Sequence, residues 1–274
     1  MVATSVIASV MVVATEADLR DPDVQAWLLR GTGVASTDMA WQPAVSAAML
    51  HGWHGHNGVS LGNPGLGFVC TGMTVDGTFD MVRRFRKETG DDATPIVLMG
   101  YYNLVYQRGP ERFCKDAAAA GVDGFILVDL PPEEADELKP HAAKHGLDTV
   151  MLTAPTTDDK RLPAVLKYSA GFVYFVSVLG ITGTKSATED AVRTHVSRIR
   201  RHTGLPIGVG FGIKTPEQAA AVARHADAAV VGTAIVDRVK MGLDSSGKAK
   251  PDLVPNLLAF VKSLADGVRG VTKP

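Results

Sequence analysis

Glycines are concentrated where late apolar segments of the chain end. Gly210 and Gly212 occur in GVGFGI, Gly232 and Thr233 occur in VVGTAI, and a third glycine-rich stretch, GITGT, spans residues 180–184. Backbone N–H groups at the start of a helix bind anions, and glycine lets a phosphate group approach the backbone closely. Any one of these glycines is better explained by a short turn. The three elements together, in this order, predict a phosphate-binding site.

Histidines and cysteines offer two other kinds of site. His51, His54 and His56 form an HxxHxH pattern that suggests a metal site. The segment around them is rich in glycine and holds no carboxylate that could complete a ligand set, so we expect no metal there. Cys70 and Cys114 are far apart in the chain and belong to no CxxC. We expect them to be small apolar residues in a reducing compartment rather than nucleophiles or a disulfide framework.

A carboxylate, Asp129, ends the apolar run VDGFILVD at residues 122–129. At the end of a buried strand such a group is either catalytic or a hydrogen-bond acceptor that orients a neighbouring loop, and the sequence leaves both interpretations open. GVGFGI does not fit the dinucleotide pattern G-x-G-x-x-G, and it occurs late in the chain rather than in an opening βαβ unit. A dinucleotide site is therefore not favoured.

The elements that must position these residues form a regular series from residue 95 onward. Short β-branched apolar runs alternate with amphipathic stretches, and the runs are continuously apolar, which predicts strands buried on both faces of a parallel sheet. Such β-α repetition predicts a TIM (β/α)8 barrel or a doubly wound sheet, and we favour the α/β barrel. The predicted strands cover residues 95–100, 122–129, 148–154, 171–177, 206–212 and 227–232, and the predicted helices cover residues 109–120, 132–145, 158–168, 188–202, 215–225, 233–241 and 252–265.

Several helix ends carry their own signals. Thr215 followed by Pro-Glu-Gln218 predicts a capped helix start with proline at the first helical position. The sequence Pro-Pro-Glu-Glu at residues 131–134 predicts a rigid helix entry with two acids that the helix dipole favours. Gly121 and Gly146 follow helical stretches and suit helix C-termini.

The part of the chain before these units supports a barrel poorly. Residues 2–14 are apolar and predict one strand, and residues 78–90 predict an amphipathic helix. Between them, residues 39–75 hold no Asp or Glu, and no hydrophobic period is evident. We therefore predict a barrel whose first two β-α units are poorly defined or disrupted. Its expected organisation is an atypical N-terminal segment at residues 1–72 and the remainder of a single barrel domain at residues 73–274.

Composition excludes several classes of protein. Lys and Arg number 28 against 29 Asp and Glu, the formal net charge is −1, and 46% of the residues are hydrophobic. A near-neutral chain lacks the basic surface that binds nucleic acid. No apolar run reaches the ~18 residues that a membrane span needs. The apolar start MVATSVIASVMVVAT has no basic residue ahead of it, unlike a secretory signal. We expect a globular cytoplasmic protein with no membrane segment.

Five stretches carry a resemblance when they are taken together and in order. They are PIVLMGYYNLVYQRG, GVDGFILVDLPPEEADEL, TAPTTDDKRLPAVLKYSAGFVYFVSVLGITGT, GLPIGVGFGIKTPEQAA and AAVVGTAIVDRV. Over about residues 73–240 the chain resembles the α subunit of tryptophan synthase. The resemblance implies a TIM-barrel lyase that cleaves indole-3-glycerol phosphate to indole and glyceraldehyde 3-phosphate in tryptophan biosynthesis. It also implies an α2β2 assembly with a β subunit that carries pyridoxal phosphate, and no cofactor in the α subunit itself.

The resemblance further implies roles for individual residues. The family's substrate phosphate-binding pattern matches Gly183, Phe211, Gly212, Gly232 and Thr233. An aromatic residue of its indole pocket matches Tyr174, and a loop threonine that helps to close the site matches Thr182. The positions at which the family contacts the β subunit and communicates between loops match Asn103, Asp129 and Pro131.

One motif of the family is missing. The second-strand pattern of the type ELGxPFSDPxADGP has no match in residues 1–72. In the family it supplies the glutamate that acts as acid and base and an aspartate that stabilises charge on the indole nitrogen. Without these carboxylates, phosphate binding contributes to substrate affinity but little to the rate of cleavage. We therefore expect impaired catalysis and predict no catalytic residue. Codons can be chosen for NPGLGFVCTG that encode IQASASCALA when the reading frame is shifted by one base. IQASASCALA resembles the segment that the family has just before the helix at residues 78–90. Our hypothesis for this region is therefore a shifted reading frame.

The sequence leaves three functional hypotheses. The first is an enzyme of the tryptophan synthase α type, impaired in catalysis. The second is a non-catalytic α-like subunit that binds ligand and activates a β subunit. The third is another phosphate-binding barrel, an isomerase or epimerase, and the stretches TTDDKRLP and GITG count against it.

Overall fold

The computed structural model describes residues 9–12, 75–92, 94–176, 189–210, 212–244 and 249–271. Strands and helices alternate along almost all of this part of the chain. The strands are β1 (Ser9–Val12), β2 (Ile96–Gly100), β3 (Gly124–Leu127), β4 (Asp148–Thr149), β5 (Met151–Thr153), β6 (Val173–Val176), β7 (Ile207–Gly210) and β8 (Ala228–Val230). The helices are α1 (Val75–Thr89), α2 (Tyr102–Arg108), α3 (Pro110–Ala120), α4 (Lys139–Lys144), α5 (Leu162–Lys167), α6 (Glu189–Arg200), α7 (Pro216–Ala223), α8 (Thr233–Met241) and α9 (Leu253–Arg269), with a 3-10 turn at Ala135–Glu137.

The strands follow one another in sequence order. Hydrogen bonds connect β1-β2-β3-β4 and β5-β6-β7-β8. Only Val150 separates β4 from β5, and its N–H donates to the carbonyl oxygen of Phe125 in β3 at 2.9 Å, so the two sets are parts of one curved wall. Every pair from β2 to β8 is parallel. The predicted α/β architecture with a parallel sheet is confirmed for this part of the chain.

Strand β1 departs from the barrel pattern. It falls within the predicted strand at residues 2–14, but it pairs with β2 in the antiparallel direction, with Ser9 opposite Met99 and Val12 opposite Ile96. All strands of a regular (β/α)8 barrel are parallel. Before Val75, β1 is the one element among the described residues. This arrangement agrees with the prediction that the first two β-α units are poorly defined.

Alternate residues of each strand separate the barrel interior from the helical layer, because successive side chains of a strand point to opposite faces. The interior cluster contains Val97, Met99, Ile126, Val128, Val150, Leu152, Phe172, Tyr174, Val176 and Val230. Residues of the opposite parity pack outward against the helices. They include Ile96, Leu98 and Phe125 in the first half of the wall and Val173, Phe175, Ile207 and Val209 in the second half.

Aromatic stacking holds the helices of the first half against the sheet. The ring of Phe113 in α3 lies 5.4 Å from that of Phe79 in α1 and 5.2 Å from that of Phe125 in β3. All three side chains are buried. Burying one such side chain contributes roughly 1.5–3 kcal/mol, so this row of rings is a large part of the contact between α1, α3 and the wall.

Most helix ends agree with the signals in the sequence. The capping box at Thr215 is present, and Gly121 ends α3 with φ +91°. The helix predicted over residues 132–145 is wrong in extent, because residues 132–134 form turns and α4 begins only at Lys139. The sequence Pro-Pro-Glu-Glu therefore precedes a 3-10 turn rather than starting an α-helix. Within the described residues, none of the helices combines the length and the apolar character that crossing a membrane requires.

Arg86 ties several chain segments together at the amino-terminal end of the strands. Its guanidinium donates to the carbonyl oxygens of Gly121, Asp91 and Thr94 and to the Asp123 carboxylate at 2.7 Å. Asp123 in turn accepts the N–H of Ile96, the first residue of β2, at 2.7 Å. One arginine at the end of α1 thus fixes the end of α3 and the starts of β2 and β3.

The same arrangement recurs in the second half of the wall. Arg200 at the end of α6 donates to both carboxylate oxygens of Asp227 at 3.0 Å and to the carbonyl oxygen of His225. Asp227 accepts the N–H of Ile207, the first residue of β7, at 2.9 Å. The two arginines differ in exposure, because the Arg86 side chain is 11% exposed and that of Arg200 is 45% exposed.

This difference in burial generates a prediction about stability. We expect Arg86→Met to lower the free energy of unfolding by about 2–4 kcal/mol, because three carbonyl oxygens and a carboxylate lose a buried charged donor. The matched variant Arg200→Met should lose less than about 1 kcal/mol, as half-exposed ion pairs do. Urea denaturation of both variants measures the difference. Equal losses of unfolding free energy in the two variants would show that burial of the arginine does not determine how much each arrangement stabilises the fold.

Candidate functional site

The carboxyl ends of the parallel strands meet at one edge of the wall, where barrel enzymes place their active sites. The interior side chains of Val97, Ile126, Val150 and Tyr174 are buried. The other interior side chains, including that of Phe172 ahead of β6, are only partly buried. We call the partly buried apolar side chains toward the carboxyl ends the apolar floor; they are Met99, Val128, Leu152, Val176 and Val230.

Tyr174 belongs to the same interior cluster as the apolar floor, and its ring lies over β7, which has no side chains on its interior face. A Cβ added at Gly210 would lie 2.5 Å from the phenol oxygen of Tyr174, and one at Gly208 would lie 3.4 Å from the ring of Phe172. The tyrosine ring occupies the space that a β7 side chain would otherwise fill. Burial raises the pKa of Tyr174 to about 12. Its phenol is therefore neutral near pH 7 and offers a flat apolar face with a hydroxyl at its tip.

Two predicted phosphate-binding turns follow neighbouring strands. Gly210 of β7 is paired with Val230 of β8, and each turn glycine, Gly212 or Gly232, comes two residues later. Gly212 has φ +75°, a conformation that residues with a side chain rarely adopt. Gly232 caps α8, and a Cβ added there would have nothing within 4 Å. The backbone of Thr233 opens α8, where the first N–H groups have no partner within the helix.

Other predicted site residues lie outside the described part of the chain. These are the loop residue Thr182 and the phosphate-site residues Gly183 and Phe211, together with the side chain of Thr233. Of the predicted phosphate residues, the structure describes Gly212, Gly232 and the backbone of Thr233, which follow the neighbouring strands β7 and β8.

The turn after β7 is firmly connected to α7. The side chain of Gln218 accepts the N–H groups of Lys214 at 2.7 Å and Thr215 at 3.3 Å, while Thr215 accepts the N–H of Gln218. Ile213 is buried in the core of the second half of the wall. The Gly212 turn and the start of α7 consequently form one connected unit.

Asp129 uses its carboxylate to hold the start of α2. One oxygen accepts the backbone N–H of Tyr102 at 2.7 Å. Asn103, the next residue, is exposed on the same helix. Pro131 follows Asp129 by two residues, and its carbonyl oxygen accepts the N–H of Glu134 at 3.1 Å. This geometry favours the interpretation of Asp129 as a loop-orienting acceptor, and it brings Asn103 close to it.

Sequence reasoning missed two tyrosines at the carboxyl end of β2. Burial, together with the negative charge of Asp129, raises the pKa of Tyr101. The hydroxyl of Tyr102 donates to Glu137 at 2.9 Å, and burial together with that carboxylate raises the pKa of Tyr102. The sequence feature that could have identified them is the pair of aromatic residues directly after the apolar run PIVLMG. Tyr101 therefore lies near Asp129, between the end of β2 and the start of α2.

The structure offers no metal centre within the residues that it describes, since no group of three or more His, Cys, Asp or Glu could hold an ion there. The histidines of the HxxHxH pattern, like Cys70, fall outside those residues. Cys114 is a buried free thiol whose pKa burial raises to about 12. It is therefore not a thiolate at neutral pH, which agrees with its expected role as a small apolar residue.

Comparison with known proteins identifies a family. The profile of the family described as tryptophan synthase alpha chain matches residues 68–267. The tryptophan synthase alpha chain of Gluconacetobacter diazotrophicus is 52% identical over 201 residues, which are 73% of this chain and 73% of that protein. Both matches confirm the resemblance seen in the sequence.

Solved structures agree with this result. A crystal structure of the tryptophan synthase alpha chain from Legionella pneumophila subsp. pneumophila has a TM-score of 0.64 and 36% identity, and the match covers 74% of this chain and 72% of that one. A chain of the tryptophan synthase α2β2 complex from the hyperthermophile Pyrococcus furiosus has a TM-score of 0.61 and 34% identity, over 71% of this chain and 75% of that one. The predicted TIM-barrel class is confirmed.

The close approach of Tyr174 to β7 generates a prediction. We expect Gly210→Ala to lower the free energy of unfolding by about 1–3 kcal/mol, because the new methyl group overlaps the phenol and forces the ring to move. At Gly204, where an added Cβ would have nothing within 4 Å, the same substitution should change stability by less than about 0.5 kcal/mol. Urea denaturation and near-ultraviolet circular dichroism measure the two effects. A Gly210→Ala variant with unchanged stability and spectrum would contradict the assigned packing.

Proposed function

Because the chain belongs to the tryptophan synthase alpha chain family, a family of lyases in tryptophan biosynthesis, we propose that it is an α-type subunit that binds indole-3-glycerol phosphate. The proposed reaction is cleavage to indole and glyceraldehyde 3-phosphate. The observation that carries this proposal is that the Gly212 and Gly232 turns follow neighbouring strands, β7 and β8, and that β7 pairs with the strand that holds Tyr174.

Of all parts of the substrate, the phosphate group is the one for which the described residues offer the most binding groups. The N–H groups at the start of α8 point toward the carboxyl end of the barrel and favour an anion. A Cβ added at Gly232 would have nothing within 4 Å, which leaves space for phosphate oxygens to reach the backbone there. The Gly212 turn follows the neighbouring strand. We assign Gly183 and Phe211 to the same site from the sequence pattern, with Thr182 supporting the loop that closes over it.

We propose that the indole ring binds against the apolar floor. Tyr174 supplies a neutral aromatic ring, and Met99, Val128 and Leu152 supply partly buried apolar side chains. An indole ring is flat and apolar except for one N–H, so burial against these side chains provides affinity without demanding charge. In this proposal the phosphate site and the apolar floor hold the two ends of one substrate.

Cleavage itself requires proton transfers that these residues do not provide. The bond between indole C3 and the glycerol chain breaks while C3 gains a proton and the adjacent hydroxyl loses one, forming the aldehyde. A positioned acid and base typically contribute 10²–10⁴-fold to such a step. Residues 39–75 contain no carboxylate, and the Asp129 carboxylate already accepts the N–H of Tyr102. We therefore propose that this chain binds the substrate and cleaves it slowly.

The N-terminal segment is the proposed cause of this impairment. The family profile begins at residue 68, close to the boundary that the sequence predicts between residues 72 and 73. This start supports our hypothesis that the preceding residues are read in a shifted frame. The nucleotide sequence around codons 30–73 tests the hypothesis directly, since an uninterrupted frame that encodes the glutamate-bearing motif would have to appear one base away.

A partner subunit is also proposed. The Pyrococcus furiosus relative is part of an α2β2 complex whose components activate each other. By analogy we propose that Asn103, Asp129 and Pro131 meet a β subunit that carries pyridoxal phosphate, whereas this chain needs no cofactor. The buried thiol of Cys114 supports a reducing, cytoplasmic setting. If catalysis is lost entirely, activation of the β subunit is the second candidate function, and the missing carboxylates are the observation that favours it.

Ligand binding tests the phosphate site. We expect Gly212→Leu to weaken the binding of glycerol 3-phosphate by at least about tenfold, because a side chain would stand where the phosphate approaches and would disturb the turn. Gly109→Leu is the matched control, since Gly109 also has a positive φ, +85°, but ends α2 away from the site. Isothermal titration calorimetry measures both affinities. Equal affinity for the unmodified chain and Gly212→Leu would place the phosphate elsewhere.

A direct assay tests the catalytic proposal. We expect indole release by the purified chain to be about 10²–10⁴-fold slower than by a chimaera in which the N-terminal segment of the Gluconacetobacter diazotrophicus relative replaces residues 1–67. The same two proteins are then added to a β subunit. Stimulation of β-subunit turnover by a chain that releases no indole supports the second candidate function. Comparable indole release by both proteins would show that the missing carboxylates are not needed.

A further inference from the structure

The last helix of the chain makes an unusually close backbone contact with the helix that follows β7. A Cβ added at Gly267 in α9 would lie 2.6 Å from the carbonyl oxygen of Pro216 and 3.1 Å from its carbonyl carbon. Pro216 is the first residue of α7, and its backbone cannot swing away as a flexible side chain would. Glycine is the weakest helix former apart from proline, so its place inside α9 works against the helix itself. The close contact with α7 accounts for it.

The start of α7 transmits its position to the Gly212 turn. Thr215, which precedes Pro216, and Lys214 both donate their N–H groups to Gln218 of α7. The buried side chain of Ile213 shares one core cluster with Phe260 and Leu264 of α9. A shift of Pro216 would therefore move Gly212 with it, because no flexible segment separates the two.

Helix α9 also contacts α8, which carries the second proposed phosphate-binding turn. The guanidinium carbon of Arg238 in α8 lies 4.3 Å from the centre of the Phe260 ring. Ala234 and Ile235, in the first turn of α8, belong to the same cluster as Phe260 and Leu264. One helix thus packs against both elements that follow the strand ends at Gly210 and Val230.

We infer that Gly267 is a positioning residue for the binding of phosphate esters, because its missing side chain lets α9 hold the Gly212 and Gly232 turns at the separation that one phosphate group requires. This inference rests on the proposed function and deepens it. It assigns to the C-terminal helix, which lies outside both turns, control over the affinity for the phosphate end of the substrate. The indole end depends on Tyr174 and the apolar floor, which α9 does not build.

The test compares Gly267→Ala with Gly270→Ala. An added Cβ at Gly270 would lie 3.4 Å from its nearest neighbour, the carbonyl oxygen of Asp266, which is an ordinary contact. We expect Gly267→Ala to weaken the binding of glycerol 3-phosphate by about 10-fold to 100-fold, since a displacement of about 1 Å at a site can cost about 10²-fold. Its affinity for indole, which has no phosphate, should stay within about twofold of the unmodified chain, and Gly270→Ala should leave both affinities unchanged.

Two further measurements separate positioning from general destabilisation. Leu138→Ala opens a cavity in a core cluster that contains no residue of α7, α8 or α9, so it should lower the melting temperature while retaining affinity for glycerol 3-phosphate. If Gly267→Ala does not fold, Phe260→Leu, which shortens the contact with α8, should weaken the binding of glycerol 3-phosphate more than the binding of indole. Equal loss of affinity for both ligands in the folded Gly267→Ala variant, or a loss in Leu138→Ala as large as in Gly267→Ala, overturns the inference.

The outcome also distinguishes the two proposals. If the unmodified chain does not bind glycerol 3-phosphate, the proposed function fails at its phosphate site. If the unmodified chain binds it and Gly267→Ala binds it equally well, the proposed function stands and the role of Gly267 is overturned.

Discussion

The interior of this barrel depends on the fit between the Tyr174 ring and the backbone of β7. The Tyr174 ring lies over the neighbouring strand β7, and Gly210 leaves room for it with a clearance that a single methyl group would remove. The other interior side chains of this cluster are apolar, so the ring completes an apolar interior.

The two ends of the wall are built from different physical interactions. At the amino-terminal ends, Arg86 with Asp123 and Arg200 with Asp227 satisfy backbone groups and fix where strands begin. At the carboxyl ends, glycines leave backbone groups accessible, and helix starts present N–H groups that have no partner within the helix. Stability is thereby concentrated at one end and binding at the other, a division that is general in barrels of this kind. A glycine turn that binds an anion can remain open because the opposite end is held firmly.

The proposed function assigns binding and catalysis to different parts of the chain. The proposed phosphate turns, the Tyr174 ring and the partner contacts all lie after residue 95, in elements that form a continuous wall. The acid and base of the proposed reaction would come from a strand before residue 75, where the chain has no carboxylate over residues 39–75. Affinity can therefore persist where rate is lost, because positioning a substrate and transferring its protons make separate contributions to the barrier.

Local pattern was sufficient for most of the elements. The helix predicted at residues 233–241 is α8, Thr233–Met241, and the cap predicted at Thr215 is present, because both depend on residues within a few positions of one another. The helix predicted over residues 132–145 starts too early, because Pro140 lies at the start of α4. Proline has no N–H to donate and clashes with the preceding turn, so it begins a helix more readily than it continues one.

The sequence by itself determined the class of fold and the family, since these follow from periodicity and from motifs that are contiguous in the chain, and the phosphate-binding residues stay a prediction from the same motifs. Tertiary structure alone decided that β1 runs antiparallel to β2, that Asp129 holds the start of α2, and that Gly267 lies against Pro216. Each of these contacts joins residues that are far apart in the chain. Whether such residues meet depends on sheet register and on the packing of helices against the wall, and no local pattern encodes those distances.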